Sequence, residues 1–274
     1  MVPVWLVVPD PQKRPESMPR FAANLTLLFN ELPFEERFAA ARRAGFRGVE
    51  CLFPYAWPEA ILAERLREND LTQVLFNLPP GDWGSGERGI ACLPGREGEF
   101  RAGVEEAIRY ARALGCERLN CLAGLRPAQA SEEALLDTLR NNVTYAARRL
   151  ADEGITLCLE AINSRVDMPG FLLDTSTKAV RLMDEAGGDN LRLQYDLYHM
   201  QIMEGDLIRT LRRLMPRIGH IQFADNPGRH EPGTGEINFG SIFQALDEAG
   251  YNGWVSAEYH PQASTGEGLG WMSE

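Results

Sequence analysis

The chain has 274 residues, 44% hydrophobic and 24% charged, with a formal net charge of −11 at pH 7. That length supports a substantial core, as one large domain or two ordinary ones. The acidic balance repels phosphate backbones and anionic membranes, so neither is an expected partner; a small anionic substrate, held by an arginine or a metal ion, stays admissible. The opening MVPVWLVVPDPQKRPES has an apolar patch interrupted by Pro9, Pro11 and Pro15, with no basic leader or small-residue cleavage site. It predicts an irregular N-terminal extension over residues 1–17, too short to span a bilayer, ahead of one domain over residues 18–274.

From Met18 onward one unit recurs: an amphipathic helix, a glycine, then a short apolar strand. Phe34, Phe38 and Ala41 share a helical face that stops at Gly45, and a strand follows from Gly48. Phe100, Val104, Ile108, Ala111 and Leu114 repeat the scheme before Gly115, and Gly154 and Gly250 close two further copies. A glycine after the last helical turn adopts the left-handed conformation at least cost, and the apolar period changes from helical to strand-like across it. Strands are predicted around Ala22–Leu25, Val49–Leu52, Val74–Phe76, Leu119–Leu122, Thr156–Leu159, Leu191–Tyr195, Ile218–Phe223 and Trp254–Ala257. Such alternation over about 250 residues predicts an α/β chain folded as a single (β/α)8 TIM barrel, with an open doubly wound sheet as the alternative. Cys51, Cys92, Cys116, Cys121 and Cys158 are odd in number and contain no C-x-x-C pair, which predicts reduced thiols and a cytoplasmic setting.

In such a barrel the chemistry lies at the C-terminal strand ends. The second strand ends near Glu50. The fifth to eighth carry Glu160, Asp196, Gln222 and Glu258 at or near theirs, so four successive strands aim oxygen-bearing side chains at one mouth. A carboxylate at a solvated strand end is ordinarily structural. Crowded carboxylates, however, repel one another unless a cation neutralises them. Magnesium or manganese, which take oxygen ligands, are the expected metals; zinc is disfavoured because no cysteine and no clear histidine joins the set.

The stretches GFRGVECLFPY, NLPPGDWGSGERGIACLPGREGEFR, LQYDLYHMQIMEGDL, GHIQFADNPGRHEPGTGEINF and YNGWVSAEYHP resemble the hydroxypyruvate isomerase family, within the xylose isomerase-like barrels. The resemblance runs from Met18 to Met272. It implies that Glu160 and Glu258 are the acid/base pair, and that Asp196 and Gln222 complete the metal shell with them. The implied reaction interconverts hydroxypyruvate and 2-hydroxy-3-oxopropanoate through an enediolate. The alternative is 2-oxo-tetronate isomerisation on a four-carbon acid, with a sugar 3-epimerase behind it. Related epimerases have histidine where this chain has Gln222, the usual proline after the fifth-strand glutamate is Ala161 here, and the SRVDMPG stretch that follows, with Arg165, varies within the family.

His199, just beyond Asp196, is placed to bond a substrate oxygen, or else is a helix-start histidine bonded to backbone. Arg229 and His230 are candidates for the substrate carboxylate, against a surface ion pair for the arginine. The loop holding Asn77, Asp82, Trp83 and Arg88 reads as a lid or as a surface insertion. Phe34/Phe38 and Phe239/Phe243 read as core or interface packing, which admits a homo-oligomer. No G-x-G-x-x-G opens a strand–helix unit and no Walker lysine follows a glycine run, so no nucleotide cofactor is expected. A DNA-repair endonuclease would need more than the four histidines present, and a basic face. A non-catalytic sugar-acid binder would fail to exchange substrate protons with solvent.

Overall fold

The computed structural model describes residues 19–273; the predicted extension over residues 1–17 lies outside them. Eight parallel strands alternate with helices: β1 (Arg20–Asn24), α1 (Phe34–Arg43), β2 (Gly48–Glu50), α2 (Glu59–Glu68), β3 (Thr72–Asn77), α3 (Glu97–Leu114), β4 (Arg118–Cys121), α4 (Glu132–Ala151), β5 (Thr156–Glu160), α5 (Ser176–Ala186) and β6 (Leu191–Asp196). Two helices follow β6, α6 (Leu197–Met203) and α7 (Leu207–Leu214), before β7 (Ile218–Phe223), α8 (Phe239–Glu248) and β8 (Trp254–Ala257). The strands form a closed barrel in sequence order. The closing pair, β1 with β8, sets Arg20 opposite Trp254 and Ala23 opposite Ala257. The single (β/α)8 barrel is therefore the fold, and the open sheet is excluded.

Each helix buries the face its periodicity marks. In α3, Phe100, Val104, Ala107, Ile108, Ala111 and Leu114 are buried, and Gly115 ends the helix at φ 62°, where a β-carbon would crowd the backbone. The second strand is shorter than predicted, because the Leu52 amide turns to the Thr26 hydroxyl at 2.9 Å. Period-two alternation then divides the barrel. On β7, Ile221 and Phe223 face the shell between strands and helices, while His220 and Gln222 turn inward and are buried. Phe239 and Phe243 pack around Phe223, with centroids at 5.5 and 5.7 Å, so this aromatic stripe is core. Ala22, Val74, Leu75, Cys158 and Trp254 form a separate apolar cluster. The C-terminal half of the interior is polar: Asn24, Glu50, Asn120, Gln194, His220, Gln222 and Ser256 are all buried. Buried polar groups are costly unless paired, so this half of the barrel must be a connected network. All five cysteines are buried and free.

Candidate active site

The predicted strand ends converge. One ligand atom each from Glu160, Asp196, Glu258 and His199 lies within 4.8 Å of the others, and all four residues are buried. Asp196 closes β6 and caps α6, its Oδ1 accepting the Tyr198 and His199 amides at 2.7 and 3.3 Å. That fixes the carboxylate, and its buried Oδ2 has no hydrogen-bond partner among the described residues. Glu160 accepts one N–H from Asn120 at 2.9 Å. Glu258, one residue past β8, accepts from Asn24 at 2.8 Å and Gln222 at 3.1 Å on Oε1, and from Arg229 at 2.7 Å on Oε2.

Charge crowding sets the electrostatics. Burial, then Glu258 and Asp196, push Glu160 well above the usual carboxylate range. Burial lifts Glu258 to about 8 despite the opposing pull of Arg229, and lifts Asp196 to about 6. Burial and the Arg229 charge hold His199 well below its ordinary value, so the ring is neutral. Its tautomer follows from Asn163. The Asn163 Oδ1 accepts the Val166 and Asp167 amides, both at 2.9 Å, so Nδ2 must be the atom 2.7 Å from His199 Nδ1. Nδ1 is thus the acceptor and Nε2 carries the proton. His199 therefore presents an N–H donor, 3.7 Å from Asp196 Oδ2. This suits a substrate oxygen better than a metal ion.

Arg229 is reached through the loop after β7, whose hub is Asp225. The fully buried Asp225 carboxylate accepts the amides of Asn226, Gly233, Gly235 and Ile237 between 2.8 and 3.0 Å. The hub holds Arg229 in the left-handed region at φ 58°, with its guanidinium bridging Glu258 and Asp167. His230 turns away, its Nδ1 2.7 Å from the His260 carbonyl. Arg165 donates to the Ile202 carbonyl at 2.6 Å. Gln222 adjoins the cluster, its Oε1 accepting from Gln194 at 2.5 Å while its nitrogen donates to Glu258. The loop after β3 is anchored: Arg88 lies over Trp83 at 4.1 Å, and Trp83 packs on Phe53 at 5.0 Å.

Sequence reasoning missed Asn24, Asn120, Asn163, Asp167 and Tyr198. A neutral amide at a strand end carries no motif of its own. The signal that existed was positional, since Asn24, Asn77 and Asn120 stand at or near the ends of β1, β3 and β4.

The residues present fit a divalent cation. An unpartnered buried oxygen on Asp196 and two glutamates strained towards protonation are what a hard oxygen-seeking ion relieves.

The chain matches the family described as xylose isomerase-like TIM barrel over residues 38–274. It is 52% identical over 255 residues to hydroxypyruvate isomerase of Escherichia coli, covering 93% of this chain and 98% of that one. It is 48% identical over 255 residues to 2-oxo-tetronate isomerase of Cupriavidus necator, with the same 93% and 98% coverage. Among solved structures, a Brucella melitensis protein described as AP endonuclease family 2 superposes with a TM-score of 0.91 at 46% identity, covering 93% and 98% of the two chains. A 3-keto-D-glucoside 4-epimerase of E. coli, at 19% identity and a TM-score of 0.77 over 93% and 98%, shares the fold. This chain belongs to the hydroxypyruvate isomerase family of xylose isomerase-like TIM barrels and is an isomerase of that family.

Proposed function

We propose that this isomerase interconverts hydroxypyruvate and 2-hydroxy-3-oxopropanoate, with Glu160 and Glu258 as the acid/base pair. The observation that carries the reading is the closeness of these two buried carboxylates to each other and to Asp196. One glutamate takes a proton from the hydroxyl-bearing carbon, giving an enediolate. The other returns a proton to the neighbouring carbon, and the hydroxyl proton passes between the two oxygens. His199 Nε2–H donates to a substrate oxygen. Arg229, held by Glu258 and Asp167, offers its charge to the substrate carboxylate. His230 is bonded through Nδ1 to the His260 carbonyl, so the carboxylate role falls to Arg229 alone. Glu160, Asp196 and Glu258 would hold magnesium or manganese, which when bound would supply charge to stabilise the enediolate; Gln222, which turns its amide oxygen to Gln194 and its nitrogen to Glu258, stands beside them as a hydrogen-bond donor. Burial of the site excludes the water that would quench that intermediate.

The net charge of −11 and three carboxylates at the mouth favour a small hydroxy-keto acid over a phosphate backbone. Isomerisation of a 2-oxo-tetronate is the second reading, favoured by the 48% identical relative; it uses the same proton transfers. The test is solvent exchange. In D2O with added magnesium or manganese, hydroxypyruvate is expected to take up deuterium at the exchanged carbon, and E160Q and E258Q to lose at least about a hundredfold in rate. Running 2-oxo-tetronates alongside separates the substrates. Undiminished exchange in both variants would remove the glutamates from the reaction.

A further inference from the structure

Beneath the carboxylate cluster lies a buried pair with no place in the proton transfers above. Glu50 and His220 are both fully buried, 170 residues apart in sequence, and meet at 2.7 Å between Oε2 and Nε2. The other Glu50 oxygen accepts from Gln222 at 2.7 Å and from Asn24 at 2.9 Å. Those same two amide nitrogens are the ones that donate to Glu258 Oε1. Each NH2 group therefore divides its two hydrogens, one downward to Glu50 and one upward to Glu258.

The two amides differ in what fixes them. Asn24 Oδ1 accepts the Thr26 backbone amide at 3.0 Å, so its orientation is set locally. Among the described residues Gln222 has no such backbone anchor, and its oxygen meets only the Gln194 side chain. An amide can rotate by half a turn at little steric cost, and only hydrogen bonds choose between the two placements. Glu50, acceptor-only when ionised, makes that choice for Gln222. His220 in turn holds the Glu50 carboxylate in place.

We infer that Glu50 is a positioning residue: acting through the Gln222 amide, it fixes where Glu258 stands in the site. The inference rests on the acid/base reading of Glu258. It requires the reach of Glu50 and an acceptor oxygen at its tip, rather than its charge. Glu50→Gln keeps both, because the new amide presents its oxygen to Gln222 and its NH2 to His220. The ring can accept there by moving its proton to Nδ1, which has no partner among the described residues. Glu50→Asp keeps the charge beside His220 but withdraws the acceptor by one methylene.

The experiment compares these two variants with the wild type, holding metal and pH constant and confirming folding by Tm. Glu50→Gln is expected to stay within about threefold of wild-type kcat. Glu50→Asp is expected to lose about tenfold to a hundredfold in kcat with KM changed less than about threefold. The side-chain amide signals of Gln222 in 15N-labelled protein give a readout independent of turnover. They should keep their shift and slow solvent exchange in Glu50→Gln and lose both in Glu50→Asp. The opposite order, equal losses, or two variants at wild-type rate with unmoved amide signals would each overturn the inference. A wild type that exchanges no proton into any keto acid would instead overturn the acid/base reading, leaving the amide comparison to decide on Glu50.

Discussion

Asn163 shows how one side chain can set the chemistry of another. Its oxygen is held by two backbone amides and its nitrogen by Asp167 and His199, so it has a single orientation and dictates that His199 donates from Nε2. Asn163→Asp replaces the donor with an acceptor, and the neutral ring must then carry its proton on Nδ1, leaving a lone pair facing the site. Loss of one oriented donor to a developing oxyanion is expected to cost about a hundredfold in kcat/KM. Imidazole 15N shifts of His199 are expected to exchange their two patterns between wild type and variant. A variant with unchanged shifts and rate would show that Asn163 does not set the tautomer. None of this was legible in the sequence. His199 was singled out only by its place after Asp196, and its partner lies 36 positions away in a loop whose path depends on the closed barrel.

At the scale of elements, the loop between β7 and α8 is organised by one carboxylate. Replacing Asp225 with alanine strips four backbone amides of their acceptor in a buried setting. The expected loss is about 2–4 kcal/mol, since solvent can reach part of the loop and re-satisfy some donors. Because Arg229 sits in that loop at a positive φ, KM for the keto acid is expected to rise by about tenfold even where the variant remains folded at assay temperature. Denaturant melts and steady-state kinetics measure the two effects separately; a stable variant with normal KM would show that Arg229 is positioned without Asp225. The glycines here have particular tasks. A β-carbon on Gly235 would strike the Asn226 carbonyl, and one on Gly89 the Leu122 carbonyl. The repeated helices and strands were legible because their apolar period and closing glycines are local properties. The loops were not, since Asp225 reads in the sequence as an ordinary turn residue. His230, adjacent to Arg229 and of the same functional type, faces the His260 carbonyl instead, because the bridge between Asp225 and His230 fixes the parity of the loop.

For the whole molecule, the barrel supplies stability that its polar interior spends. Strand-end reading found Glu160, Asp196, Gln222 and Glu258 because closure of the barrel brings consecutive strand ends together. The Glu50–His220 pair depends on the same closure, yet nothing local marks it. The cost of the carboxylate cluster should be visible in the pH dependence of stability. Glu258, raised to about 8, and Asp196, raised to about 6, bind protons more tightly in the folded state than in the unfolded chain. With more protons bound when folded, stability falls as pH rises. For Glu258 the loss begins near the ordinary glutamate value of about 4.5 and is complete above about 8. Chelator-treated protein is therefore expected to lose Tm steadily between about pH 5 and 8, and E258Q, which has no proton to lose, to fall less over the same window. A bound divalent ion replaces the protons as the neutralising charge, so the gap in Tm between metal-loaded and chelated protein should widen across that window, beyond the constant increment that binding to a pH-independent site gives. Thermal melts from pH 5 to 9, with chelator and with magnesium or manganese, test this directly. A gap that stays constant or narrows with rising pH would mean that the crowded carboxylates are not what the metal neutralises.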